Sequence, residues 1–298
     1  MRVIDPIEMT DAILTSSTVP ENDFDLWDVG TAYVTGDKVI VLSTHRIYEA
    51  LQNSTGTNPT TDDETTWLDI GATNRWRVFD GSIEGQTTQA TSIEYVFTVD
   101  GNYGGLALLN LIGSAFTVDI TDVVDGALPT ITVPLSDSSG VIDWFTYFYA
   151  PVVQRREVIL SDLPIYNGAI VTVELTGSGT IAIGEIVLGV DNSLGKSTTG
   201  TSLGIEDFST KSKDEFGRTF ILERAFANTV SFEFAFPTAT SRRVRRILSD
   251  LRAKPAVYYT KEEQIDFGGT VYGFPRDFRI NLQTPTIAFA TLEIEGLT

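Results

Sequence analysis

Residues 169–177 read AIVTVELTG, residues 180–190 read TIAIGEIVLGV, and Gly177-Ser178-Gly179 stands between them. Apolar and polar residues alternate through the first run, which is the period of a strand with one buried face. The glycine-rich step reads as a turn between two strands. The same grammar continues on both sides. SIEYVFTVD (92–100), AFTVDITDV (115–123), TITVPL (130–135), WFTYFYA (144–150) and EVILSDL (157–163) are short strand candidates. Asp100-Gly101, Asp125-Gly126, Ser139-Gly140 and Asn167-Gly168 punctuate them. Short strands at regular spacing with such turns predict a β-sandwich, jelly-roll-like, over residues 73–190.

Outward from this centre the composition changes. Residues 191–203, DNSLGKSTTGTSL, are polar and rich in Gly, Ser and Thr, and read as a linker. Residues 204–298 form a C-terminal β domain with one helix, with long strands expected over 218–236 and 270–295. The helix is SRRVRRILSDLRAK, where Val244, Ile247, Leu248 and Leu251 share one face. Ser241 is its expected N-cap, and Pro255 lies just past its end. Residues 22–72 make a small opening unit. Residues 1–21 read as an N-terminal arm, a loop or an extended strand laid on a neighbour, because TSSTVPEND is rich in Ser, Thr and Pro. The fold class is mainly β.

A chain of 298 residues is expected to hold two or three domains. It has no cysteine, which removes disulfides, thiolate zinc sites and thiol nucleophiles. The formal net charge of -19 repels phosphate backbones and anionic membranes, so neither nucleic acid nor a membrane is the expected partner. MRVIDPIEMTDAIL is not read as a signal peptide, because Asp5, Pro6, Glu8 and Asp11 break any apolar run.

No catalytic constellation emerges. His45 is the single histidine, no G-x-S-x-G elbow accompanies it, and it reads as a surface or packing residue. Asp119, Asp122 and Asp125, like Asp62, Asp63 and Glu64, lack EF-hand spacing and read as solvated acidic loops. Gly104-Gly105 and Gly268-Gly269 open no helix and read as turns or bulges. No catalytic residue, metal or cofactor is therefore assigned, and the chain is not read as an enzyme. The sharpest charge feature is Arg242, Arg243, Arg245 and Arg246 on the predicted helix, with Arg252 beyond. In so acidic a chain these are read as assembly contacts that meet carboxylates of this chain or of a neighbour.

The opening unit carries an ordered motif: Trp27, then YVTGDKV with Tyr33 and Gly36-Asp37, then Tyr48 in IYEALQ, Gly56 and Pro59 in TGTNP, and Trp67 and Gly71 in TWLDIG. This order resembles the chitin-binding family 5/12 carbohydrate-binding modules. The resemblance implies a compact β unit with Trp27, Tyr33, Tyr48 and Trp67 as its core. It leans on the sandwich through Trp76 and Phe79. The family's exposed platform aromatics are replaced by Leu51, Gln52, Asn53 and Thr57, so the chitin-type surface reads as lost. Tyr33 and Tyr48 are the remaining candidates for a weak glycan contact. THRIYEALQ (44–52), TWLDIGATNRWRVFDG (66–81) and VYGFPRDFRINLQTPTIAFATLEIEGLT (271–298) resemble bacteriophage tail-tip and baseplate proteins. That resemblance implies a virion structural protein in the tail, built into a homo-oligomeric ring with other virion tail proteins. A host surface glycan is the alternative partner.

Without platform aromatics, the full chain is expected to wash off insoluble chitin and cellulose. Firm retention that disappears on Tyr33→Ala or Tyr48→Ala, with folding intact, would restore a sugar-binding role.

Overall fold

The computed structural model describes residues 1–137, 141–151, 153–213, 215–224, 226–260, 269–281 and 284–297. The Ser139-Gly140 turn, Gly268, and the part of the expected 270–295 strand at 282–283 lie outside the described residues. The chain is mainly β, as its alternation predicts. Among the described residues, one antiparallel sheet of ten strands runs through most of the molecule. Its order is Val158–Leu160, Gly105–Leu109, Glu185–Ser193, Arg2–Pro6, Ala256–Tyr259, Val271–Asn281, Ile287–Gly296 and Phe226–Pro237, with Lys196–Ser197 and Ser202–Asp207 both on the outer edge of the last. A six-stranded sheet centred on Ala115–Asp122, Ile170–Ile183 and Thr87–Thr98 faces its first part. Phe97, Phe116, Val173 and Leu175 from the six-stranded sheet meet Leu106, Leu108 and Ile186 from the other, forming the sandwich core.

The Gly177-Ser178-Gly179 step is not a turn. Ile170–Ile183 is a single strand whose pairing with Thr87–Thr98 shifts register between Thr176 and Thr180. Gly179 has φ +79°, which glycine adopts without strain, so the extra residues are absorbed as a bulge. The alternation on both sides stays in phase with the core, and the strand continues through it.

The N-terminal arm is also corrected. Arg2–Pro6 is laid on its own chain, paired with Glu185–Ser193 on one side and Ala256–Tyr259 on the other. Val3 and Ile4 are fully buried. Gly189 seats this strand closely, since a Cβ there would stand 2.0 Å from the Asp5 carbonyl oxygen. The expected linker is likewise part of the sheet: residues 191–193 end one strand, and 196–197 and 202–207 pair with Phe226–Pro237. No break in pairing separates the sandwich from the C-terminal segment.

That segment packs Phe232, Phe234, Leu292 and Ile294 under the helix Ser241–Asp250, here α2. Val244, Leu248 and Leu251 are buried and Ile247 is half-buried, as the spacing predicts. The cap differs by one position: Thr240 is the N-cap without a side-chain bond, and the Ser241 hydroxyl instead bonds the Thr238 carbonyl.

Glu185 sits where three parts of the chain meet and is only 5% exposed. Its carboxyl accepts from the Gly81 amide at 3.2 Å and lies 3.5 Å from the Tyr272 hydroxyl. Burial, then the Asp80 carboxyl, pushes its pKa up to about 9. Its folded pKa exceeds the unfolded value of 4.5, so the native state holds a proton there that the unfolded chain releases. Stability from this group is therefore full below the unfolded pKa and is lost as pH rises toward 9, by about 1.4 kcal/mol per pH unit for one proton. Glu185→Gln keeps an acceptor for Gly81 without the titration. Its denaturation midpoint is expected to fall less than that of the parent between pH 6 and about 8.5, as read by urea titration. Identical slopes would show that Glu185 is already ionised in the folded chain.

Candidate interaction site

The opening unit folds around the expected aromatic residues. Its sheet is Lys38–Val41, Arg46–Ala50 and Trp67–Ala72. Trp67 is 1% exposed, meets Tyr33 edge-on at 5.1 Å, and donates its indole N–H to the Thr57 carbonyl at 3.0 Å. Tyr33 and Tyr48 are 8% and 6% exposed. The Tyr33 hydroxyl accepts from the Asp28 amide at 2.7 Å, so its polar end is used as well. Neither ring offers a face on which a sugar can stack. Both were glycan candidates by sequence, and the structure makes them core residues: in so small a unit every large ring is needed inside.

The unit is fixed to the rest of the chain at one seam. His45 stacks on Trp76 with ring centroids 4.0 Å apart. Its Nδ1 lies 3.0 Å from Glu21 and its Nε2 2.9 Å from Asp11. Both ring nitrogens can donate together only in the imidazolium form. Trp76 touches Phe79, and Phe79 touches Tyr95 and Phe97 of the sandwich core, which is the contact expected of these two aromatics. The Arg75 guanidinium donates to the Val19 carbonyl at 2.7 Å, and the Asn74 amide donates to Asp23. His45 is thus a packing residue. The cavity of ≈ 400 Å³ beside it is open and lined by Glu8, Asp11, Arg46 and Asp80 among others. Among the described residues no cluster of three or more His, Asp or Glu side chains is arranged to hold a metal ion.

The arginines of α2 are placed differently. Val244 and Leu248 anchor the helix, which turns Arg242, Arg243, Arg245 and Arg246 to solvent. None forms an ion pair among the described residues, and Arg243 reaches only the Ser193 carbonyl, at 3.4 Å. The structure therefore brings the four together on one face, and none of them pairs with a carboxylate among the described residues. Arg242 faces Arg245 and Arg246 at helical spacings of three and four, where like charges repel.

Two protrusions were not foreseen. Beyond the Asp207↔Phe226 pair, the edge ribbon continues as a hairpin of Thr210–Lys213 and Thr219–Leu222, exposed on both faces. Phe220 and Leu222 stand on one face and Ile221 on the other. A two-stranded ribbon without a packed face is marginal by itself. The second protrusion is WFTYFYA, expected as a sandwich strand. It is a helix, Trp144–Tyr149, here α1, on a short stem of Ser136–Asp137 and Val153–Gln154. Asp143 caps it: its carboxylate accepts from the Thr146 amide at 2.7 Å, and the Thr146 hydroxyl accepts from the Asp143 amide at 3.0 Å. The sequence signal was present. Asp and Thr three apart before an aromatic run form a capping box, and the run lacks the polar alternation of a half-buried strand.

No family model matches the chain. No curated protein matches it either.

Trp67→Ala is expected to unfold the opening unit locally, because truncating a buried aromatic costs about 3–5 kcal/mol. Limited proteolysis should then cut within residues 22–72 while the sandwich resists. Unchanged cleavage would mean that the unit does not depend on this ring.

Proposed function

We propose that the chain is a virion structural protein of a phage tail, a tail-tip, baseplate or adaptor-ring component that assembles by protein–protein contacts and performs no catalysis. The observation that carries this reading is the exposed arginine face of α2, which forms no ion pair among the described residues, on a chain of net charge -19. A basic face on an acidic molecule is complementary to another copy of the same molecule. Such head-to-tail complementarity is heterologous, and it generates a ring where the rotation closes. The bare Thr210–Leu222 hairpin adds a second surface that needs a neighbour, with its apolar Phe220, Ile221 and Leu222 in solvent. The motif order of residues 27–71 and the closing strands supply the tail-protein resemblance. The glycan-binding alternative is weakened by the burial of Tyr33 and Tyr48.

The full chain is expected to self-associate with concentration in sedimentation velocity at physiological salt, and less so as salt screens the contact. Arg242→Glu with Arg243→Glu should leave circular dichroism unchanged and shift the protein to monomer. A charge-reversed chain that assembles like the parent would sink the role given to α2. An image of the particle with this chain anywhere but around the tail axis would sink the tail assignment.

A further inference from the structure

The end of the 136–154 excursion is an aromatic surface that the assembly reading does not use. Trp144, Phe145, Tyr147, Phe148 and Tyr149 are each 64–79% exposed, and Ile142 beside them is 83% exposed. The rings touch one another: Trp144 stacks near Phe148 at 6.2 Å, and Phe145 lies 5.0 Å from Tyr149. At about 150–250 Å² per ring and the exposures given, the five rings present on the order of 500–900 Å², at or above the largest apolar patch of an ordinary monomer, about 300–600 Å².

We propose that α1 is a membrane-interface anchor that inserts into the headgroup layer of a zwitterionic phospholipid bilayer. Four features favour a bilayer over a protein surface. First, at 100° per residue the five rings sweep more than half of the helix circumference. A flat partner covers one side of such a helix, whereas a fluid interface envelops it. Second, the composition is Trp, Tyr and Phe, rings with apolar bodies and, in three of the five, a polar tip, which is the composition of the interfacial belt. Third, residues 144–154 carry no carboxylate and no basic side chain, the helix's one carboxylate being the N-cap Asp143 held by Thr146, while Arg155 and Arg156 follow at once, exposed and without an ion pair among the described residues. Following the stem strand Val153–Gln154, they are cations that can reach lipid phosphates once the rings have entered the headgroup layer. Fourth, the helix is already folded by its cap, so insertion requires no ordering of the chain. The charge of -19 keeps the body away from anionic lipid and leaves the contact to this tip.

The test is flotation of the full chain with vesicles of phosphatidylcholine and phosphatidylethanolamine, together with tryptophan emission. The chain is expected to float with the vesicles, and its emission to shift to the blue. Trp144→Phe should keep flotation and remove most of that shift. Trp144→Ser with Phe148→Ser should lower the bound fraction about tenfold or more, since two inserted rings are lost. Its thermal midpoint should not change, because neither ring packs on the core. Replacing part of the lipid with phosphatidylglycerol should weaken binding at low salt. The proposal is overturned if the parent chain does not float, or if the double variant floats equally well. It is also overturned if the double variant loses self-association while vesicles leave the parent untouched, which would identify a protein socket. The α2 variant Arg242→Glu/Arg243→Glu should float like the parent, so this result and the assembly result stand independently.

Discussion

The strand Arg2–Pro6 is hydrogen-bonded along both edges, to Glu185–Ser193 of the sandwich and to Ala256–Tyr259 of the C-terminal segment. Remove it and the ten-stranded sheet becomes two sheets with facing open edges, which are a liability in water. Its ends are tied as well as its backbone. The Arg2 guanidinium bonds Asp191, nearly fully buried, at 3.0 and 2.8 Å, and Asp162 at 2.6 and 3.2 Å. One side chain thereby holds the neighbouring strand and the loop that follows Val158–Leu160. Val3 points into the α2 core, and Ile4 points to the opposite face beside Ala107, Val187 and Val257. A five-residue strand thus belongs to two cores at once. The stretch first in sequence completes a sheet whose other strands lie more than a hundred residues away.

This long-range closure explains what could be read in the sequence and what could not. Alternation in AFTVDITDV and AIVTVELTG is a local property fixed by one buried face, and those strands stand where their pattern puts them. The α2 stripe of Val244, Ile247, Leu248 and Leu251 is equally local. Arg2–Pro6 carries no alternation, because both of its faces are covered, so its place depends on partners that no window contains. The polar residues 191–203 read as a linker for a similar reason: edge strands keep polar side chains and gain their order from a neighbour's backbone. α1 was legible through its cap but was outweighed by the β-propensity of Trp, Phe and Tyr, which measures fit to a half-buried sheet surface and says little about an exposed turn. At the candidate site, the clustering of the four arginines was legible. Their lack of an ion pair among the described residues was not, because it depends on where distant carboxylates fall.

Charge is distributed with the same logic. The chain is strongly acidic, yet α2 presents arginines without an ion pair among the described residues, and Arg155 and Arg156 follow the stem strand Val153–Gln154. By contrast, the cations near the core are used internally: Arg2 on Asp191 and Asp162, Arg46 on Asp69, Arg75 near Glu21. Ion pairs formed within the chain fix geometry, and cations left over on the surface are available to something else. An exposed ion pair contributes little to folding, about 0–1 kcal/mol, so leaving these arginines unpaired costs the monomer almost nothing. The same groups opposite a partner's carboxylates or phosphates gain in encounter rate and register.

The exposed apolar surface follows from the same accounting. Inside the sheets, large rings are fully enclosed, as Tyr95, Phe97, Phe116 and Phe232 are. Outside, most of the highly exposed rings stand on excursions from the sheets, Trp144–Tyr149 on its stem and Phe220 on the hairpin, with Tyr166 and Phe226 exposed elsewhere. Had these rings been spread over the sheet faces, they would compete with the cores for partners during folding and favour wrong pairings. Held on local, capped or hairpin elements, they are sequestered from the closure of the large sheet. Their contribution to stability begins only when a partner encloses them. The fold therefore keeps its large rings enclosed within the sheets while the Trp144–Tyr149 helix, the Thr219–Leu222 strand and the α2 arginines stand in solvent.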